Sequence, residues 1–258
     1  MNSMTDETTL PDWLTRVGVF DLETTGVDVS TDRIVTAHVG VLDAKGRQIA
    51  ARSWIADPGI PIPDGAAAIH GFTTERVRRD GRPSAEVVAE IAGSLRALLT
   101  QGVPVVAYNA SYDFSLLFHE CLRHGIEPLQ DPSPVIDPLV IDKAVDRYRR
   151  GKRTLEVVAE HYSVTLDGAH EASADAIAAG RVAQALARRF DLPRRHPNCT
   201  RSRSDGRARR RRASRSTSSA SGASTPKRPS TAPGRCEMAR HPPEEGCRGG
   251  CDLPRLNA

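Results

Sequence analysis

The first apolar run of the chain, Val17-Gly18-Val19-Phe20-Asp21-Leu22-Glu23, has the look of a buried strand yet carries two carboxylates two positions apart, just before a Thr24-Thr25-Gly26 turn. Residues i and i+2 of a strand share a face, so Asp21 and Glu23 are expected side by side. Residues 33–42 and 48–55 read as two further strands; Asp43-Ala44-Lys45-Gly46 between them suits an antiparallel hairpin and completes a three-stranded meander. Pro58, Pro61 and Pro63 then predict a loop that runs on through Ala68-Ile69-His70-Gly71-Phe72-Thr73. Ser84 is the expected cap of a helix with Val87, Val88, Ile91, Leu95, Leu98 and Leu99 at helical spacing. The continuous apolar run 103–108 predicts a strand buried on both faces, followed by a helix over 112–124 that stops at Gly125. A strand over 135–140, a helix over 154–161 and a last helix over 171–190 complete an α/β layer pattern with parallel strands beside the meander. There is no internal repeat.

Composition divides the 258 residues near Phe190. Residues 191–258 hold 16 Lys and Arg against 6 Asp and Glu, a net of +10, which leaves residues 1–190 at −6. The expected organisation is an N-terminal extension (1–14), a globular domain (15–190) and a basic tail (191–258). The tail is rich in Arg, Ser, Pro, Gly and Ala and poor in aliphatic side chains, so it is expected to be disordered. Three readings of it stand: a basic nucleic-acid-binding arm centred on Arg207-Ala208-Arg209-Arg210-Arg211-Arg212, a zinc site from Cys236, His241, Cys247 and Cys251, and an out-of-frame translation of a GC-rich gene. The cysteine spacing matches no standard finger. Cys121 is the one cysteine of the globular part, no run approaches 18 apolar residues, and the first residues lack a basic start followed by an apolar stretch. These features predict a cytoplasmic protein with no membrane contact.

Burying an unpaired carboxylate costs about several kcal/mol, so Asp21 and Glu23 must share a proton, meet basic groups or bind a cation; oxygen-only ligation suits magnesium or manganese. Asn109-Ala110-Ser111-Tyr112-Asp113-Phe114 puts another carboxylate, Asp113, past a buried strand in the first turn of a helix. The helix dipole alone favours an acid there. His170-Glu171-Ala172-Ser173-Ala174-Asp175 places a histidine and an aspartate at the start of the last helix. The order of these motifs says more than any one of them.

In that order they resemble the DEDDh subgroup of DnaQ-like 3′-to-5′ exonucleases, which includes the proofreading epsilon subunit of bacterial DNA polymerase III, over about residues 15–190. The first motif of that family is matched by Asp21 and Glu23, the second by Asp113, the third by His170 and Asp175. Ala68-Ile69-His70-Gly71-Phe72-Thr73 looks like a loop of the epsilon-like branch, and Lys152-Arg153-Thr154-Leu155 resembles the lead into the penultimate helix. Tyr108 departs from the pattern, standing where many members carry a histidine.

The resemblance implies an RNase H-like mixed sheet and a metal-dependent 3′-to-5′ exonuclease with two divalent cations, Mg2+ or Mn2+, about 3.5–4 Å apart. It implies that Asp21 bridges both cations, that Glu23 and Asp175 complete the first site, that Asp113 supports the second, and that His170 is the general base. Thr24, Thr25, His70, Asn109, Lys152 and Arg153 are the implied substrate contacts. The implied partner is a nucleic-acid 3′ end, DNA ahead of RNA, and a DNA polymerase if the chain proofreads or repairs. With 11 aromatic residues in all, extended base stacking has little to work with, so the last few nucleotides are the expected substrate. An exoribonuclease of the oligoribonuclease or tRNA-trimming type shares the same motifs, and a noncatalytic nucleic-acid-binding module shares the same fold. The sequence carries no signal of oligomeric state.

Overall fold

The fold is taken from a computed structural model that describes residues 10–166, 168–190 and 192. Its centre is β1 (Val17–Thr24), in a six-stranded sheet. β1 pairs antiparallel with β2 (Ile34–Leu42), which pairs antiparallel with β3 (Gln48–Asp57), the meander read from the hairpin turn. On the far side of β3, the two-residue β4 (Arg82–Pro83) runs parallel. On the other side of β1, β5 (Val105–Val106) and β6 (Val135–Ile136) add as parallel strands, so the order is β4-β3-β2-β1-β5-β6.

The helices are α1 (Asp64–His70), α2 (Thr74–Asp80), α3 (Ser84–Thr100), α4 (Ala110–Arg123), α5 (Pro138–Val145), α6 (Leu155–His161) and α7 (Ala172–Arg189). They cover both faces of the sheet. Phe20 and Leu22 of β1 point into a core with Val88, Ile91 and Leu95 of α3 and Leu116 and Leu117 of α4. Val17 and Val19 point the other way, into a core with Val158 of α6 and Val182 and Leu186 of α7. The strand's two-residue period carries that second face on to Asp21 and Glu23, which are therefore turned toward the α7 side of the sheet.

Several expectations are corrected. The residues read as a loop after Pro63 form α1 and α2; Thr73 caps α2 by accepting from the Arg76 N–H at 3.3 Å. Ser84 is the first residue of α3 and not its cap, and its hydroxyl donates to the Asp57 carbonyl at 2.7 Å. The strand expected over 135–140 ends at Ile136, because Asp137 accepts from the Leu139 N–H at 2.9 Å and Pro138 starts a helix. The packed domain starts before residue 15: Leu14 is fully buried and Leu10 and Trp13 pack against the same core. Among the described residues no helix is long and apolar enough to cross a membrane. The tail readings, from Arg207 to Cys251, lie outside the described residues, as does most of the expected extension.

Candidate active site

Asp21 and Glu23 sit at the end of β1, opposite His38 and Thr36 of β2, and the pairing breaks in a bulge between Glu23 and Thr24. Asp175 comes to them from the first turn of α7. Its approach depends on a missing side chain: a Cβ on Gly180 would lie 2.5 Å from Val19 Cγ1 and 2.6 Å from Leu42 Cδ1, so glycine lets the helix lie directly on β1 and β2. As a result one carboxylate oxygen each from Asp21, Glu23 and Asp175 falls within 4.8 Å of the others.

Asp113, the fourth predicted carboxylate, falls outside that 4.8 Å group, although its charge acts on Asp21. It is 3 % exposed in the first turn of α4, whose start is fixed by Asp137: that carboxylate accepts from the backbone N–H groups of Asn109 and Ala110, both at 3.1 Å. Asn109 takes the left-handed conformation at φ 61°, which a short amide side chain tolerates, and its own side chain is exposed.

The electrostatics of this group are those of like charges held together. Burial raises Asp21 well above the usual carboxylate range, and Asp113, Asp175 and Glu23 push it further. Glu23 is raised to about 7 by burial and then by Asp175. Burial likewise raises Asp113, against its own backbone and that of Leu22, with Asp137 and Glu23 adding to the rise. Asp175 is raised by burial, opposed by the backbone and the charge of His170. Among the described residues no Lys or Arg offsets these shifts. Asp175 Oδ2 accepts from the His170 backbone N–H at 3.3 Å, whereas Oδ1 is buried with no hydrogen-bond partner among the described residues. An all-oxygen cluster with an orphaned buried oxygen fits a hard divalent cation.

His170 stands at the mouth of the cluster. Its backbone is left-handed at φ 66°, its ring is about half exposed, and Nε2 lies 3.7 Å from Glu156 Oε1 of α6. Glu156 is a member the sequence reading missed.

The remaining predicted contacts do not all face outward. Thr25 is 2 % exposed; its hydroxyl donates to Asp32 Oδ1 at 2.9 Å and accepts from the Arg33 N–H at 3.0 Å. The Thr24 hydroxyl donates to the Gly26 carbonyl at 2.7 Å, and the Tyr112 hydroxyl donates to that carbonyl at 2.6 Å, which clamps the turn to α4. His70 is buried, and its Nδ1 accepts from the Phe72 N–H at 3.1 Å. Burial lowers its pKa, with backbone hydrogen bonding opposing the shift, and its buried Nε2 has no hydrogen-bond partner among the described residues. Arg153 is turned inward onto Asp142, which also holds Arg149 and the Tyr162 hydroxyl, and the Tyr108 hydroxyl donates to the Arg153 carbonyl at 2.7 Å. Tyr108 thus supports this loop. Lys152 is exposed next to it in the chain, and Tyr148, in the same connection between α5 and α6, is 87 % exposed.

Comparison with known proteins follows the same residues. The sequence model of the exonuclease family RNase_T matches residues 19–183. A DNA polymerase III PolC-type from Lacticaseibacillus paracasei is 30 % identical over 169 residues, covering 65 % of this chain and 11 % of the polymerase. Exonuclease DPD1, chloroplastic/mitochondrial, from Arabidopsis thaliana is 31 % identical over 185 residues, covering 67 % of this chain and 56 % of that protein. Among solved structures, the zinc-bound E. coli ExoI–ssDNA complex shares the fold with a TM-score of 0.59 at 21 % identity, covering 69 % of this chain and 41 % of that one. The chain therefore spans about a tenth of the polymerase and little more than half of the plant protein.

Proposed function

Because the chain belongs to the RNase_T exonuclease family, we propose that it is a DEDDh-type 3′-to-5′ exonuclease that removes nucleoside 5′-monophosphates from single-stranded or frayed DNA ends. The observation that carries this reading is the convergence of Asp21, Glu23 and Asp175, one carboxylate oxygen each within 4.8 Å of the others, with no Lys or Arg among the described residues to offset their raised pKa values. Asp21, Glu23 and Asp175 would hold one divalent cation, magnesium or manganese, and Asp113 with Asp21 a second. Such cations supply charge neutralisation at the scissile phosphate and an activated water.

The chain's own residues do the rest. His170 takes the proton of the attacking water, as an imidazole can near neutral pH, and Glu156 positions the ring. The water oxygen bonds to phosphorus as the bond from phosphorus to the 3′ oxygen of the preceding nucleotide breaks, and that oxygen takes a proton from solvent while His170 returns its own to solvent. The clamped Thr24–Gly26 turn offers a fixed wall for the terminal nucleotide. Asn109 and Lys152, both exposed, are the polar groups free to meet the strand, with Tyr148 as a face for one base. The relatives named DNA polymerase III make proofreading beside a polymerase the setting in which such a domain would act.

The test is hydrolysis of a 5′-labelled single-stranded DNA, beside RNA of the same sequence, with magnesium or manganese and with His170→Ala as control. A ladder shortening from the 3′ end of DNA and lost in the variant supports the proposal. An RNA-only ladder moves the function to RNA trimming, and binding of either strand without product identifies a noncatalytic module.

A further inference from the structure

We propose that the cleft between the β2–β3 hairpin and the C-terminal half of α7 is a second nucleic-acid contact, a grip for the phosphodiester backbone upstream of the 3′ end held by the carboxylates. The cleft has a volume of about 600 Å³, and among the described residues its basic lining is Lys45, Arg181, Arg188 and Arg189, with no carboxylate in the lining; His161, also in the lining, faces Asp146 Oδ2 at 3.8 Å. A concentration of cations without acids is unexpected in a domain that carries a net charge of −6 over residues 1–190.

The bonding of these cations leaves their charge intact. Arg181 Nε donates to the Gly46 carbonyl at 3.0 Å, and Arg188 donates to the Ala44 carbonyl at 2.8 Å, both neutral acceptors. Arg189 lies over the rings of Tyr162 and Phe190, 5.4 and 5.9 Å from their centroids. None of these three arginines, nor Lys45, forms an ion pair among the described residues, in contrast to Arg47, Arg52, Arg79 and Arg82, which do. Guanidinium groups anchored through one nitrogen keep further N–H donors for phosphate oxygens. Gln184 fixes the cleft floor by donating to the Leu14 and Asp43 carbonyls at 3.1 and 2.8 Å, so the cations are mounted on a built frame.

The spacing along α7 suits an upstream contact. Asp175 and Arg188 lie on that helix 13 residues apart, which at 1.5 Å per residue is about 20 Å. At about 3.4 Å per phosphate in a stacked strand, roughly six nucleotides separate the two. Thus a trinucleotide engages only the carboxylates, and a 20-mer engages both. The proposal rests on the exonuclease reading for the direction of the strand, although phosphate binding in the cleft needs no metal.

The experiment compares the full chain with Lys45→Ala/Arg188→Ala/Arg189→Ala. Binding of a 5′-fluorescein thymidylate 20-mer is followed by anisotropy in EDTA over a salt series, because without metal the carboxylates repel the strand. Hydrolysis of a trinucleotide with magnesium is measured in parallel. The expected result is affinity for the 20-mer weakened about ten-fold and a log–log salt slope shallower by about 2, three contacts at roughly 0.7 each, with trinucleotide hydrolysis unchanged. A 20-mer affinity and salt slope equal to those of the parent overturn the proposal, as does an equal loss on the trinucleotide. If the parent hydrolyses neither substrate, the exonuclease reading fails while the binding arm still decides the cleft.

Discussion

In the metal-free protein, Glu23→Gln should be increasingly stabilising as pH rises from 5 to 8. Glu23 ionises near 4.5 when unfolded and near 7 in the fold, so the native state holds the extra proton in between. Stability then falls as pH rises through that window and is level above it. The shift of about 2.5 units corresponds to at most about 3.4 kcal/mol. Because the side chain is only partly buried, solvent screening reduces this to about 1–2 kcal/mol. Buried His38 and His70 and half-buried His124 have lowered pKa values and act with the opposite sign, losing native stability as pH falls. Comparing parent with variant cancels them. Urea unfolding in EDTA should therefore give near-equal stability at pH 5 and a gain of about 1–2 kcal/mol for Glu23→Gln at pH 8, or about 2–8 °C in Tm. Saturating manganese should reverse the order, since a ligand at about 100 times its Kd adds about 2.7 kcal/mol to the protein that binds it. A variant less stable than the parent at pH 8 in EDTA, or a difference that does not change with pH, would refute the repulsion argument.

Three further outcomes follow from the same geometry. Asp175→Asn should lower single-turnover hydrolysis by about a hundred- to a thousand-fold while leaving metal-free Tm equal or higher, because Oδ1 has no partner to lose. Gly180→Ala gains about 1 kcal/mol of helix propensity but forces contacts of 2.5 and 2.6 Å onto buried Val19 and Leu42, at about 1–3 kcal/mol. The net expectation is a lower Tm together with weaker manganese binding by calorimetry, and a stabilised variant would disprove the close approach. Asp142→Ala strands Arg149 and Arg153, whose side chains are only 13 and 12 % exposed, and should cost about 3–5 kcal/mol in urea unfolding; a loss below about 1 kcal/mol would show that the arginines reach solvent.

What was legible in the sequence was what local period encodes. Alternation along β1 gave the shared face of Asp21 and Glu23, and the 3.6-residue period gave α3, α4, α6 and α7 to within about two residues at most ends. The missed helix α5 was written in Asp137-Pro138, a cap followed by a first-turn proline, but the apolar run 135–140 outweighed it. α1 and α2 are seven residues each and follow three prolines, so they lacked length for a period to emerge. The pairings of His170 with Glu156 and of Arg153 with Asp142 join residues 14 and 11 apart through tertiary packing. No local pattern announces such partners. Gly180 reads in sequence as a weak helix position, and only the facing Val19 and Leu42 reveal why it is small.

The site is also divided between two tiers of cooperative unfolding. Asp21 and Glu23 belong to the central strand, paired with β2 along its length and with β5 at Gly18 and Val19, and Asp175 to the helix that lies on it. His170 closes the exposed stretch that enters this helix. Backbone amides of β1 should exchange with deuterium only on global opening, whereas those around His170 should exchange by local fluctuation. The carboxylates would then persist as a preassembled unit through excursions that repeatedly remove and return the His170 ring, so that, in the proposed mechanism, opening of this short stretch would pause turnover while the ligands for the cations stay in place.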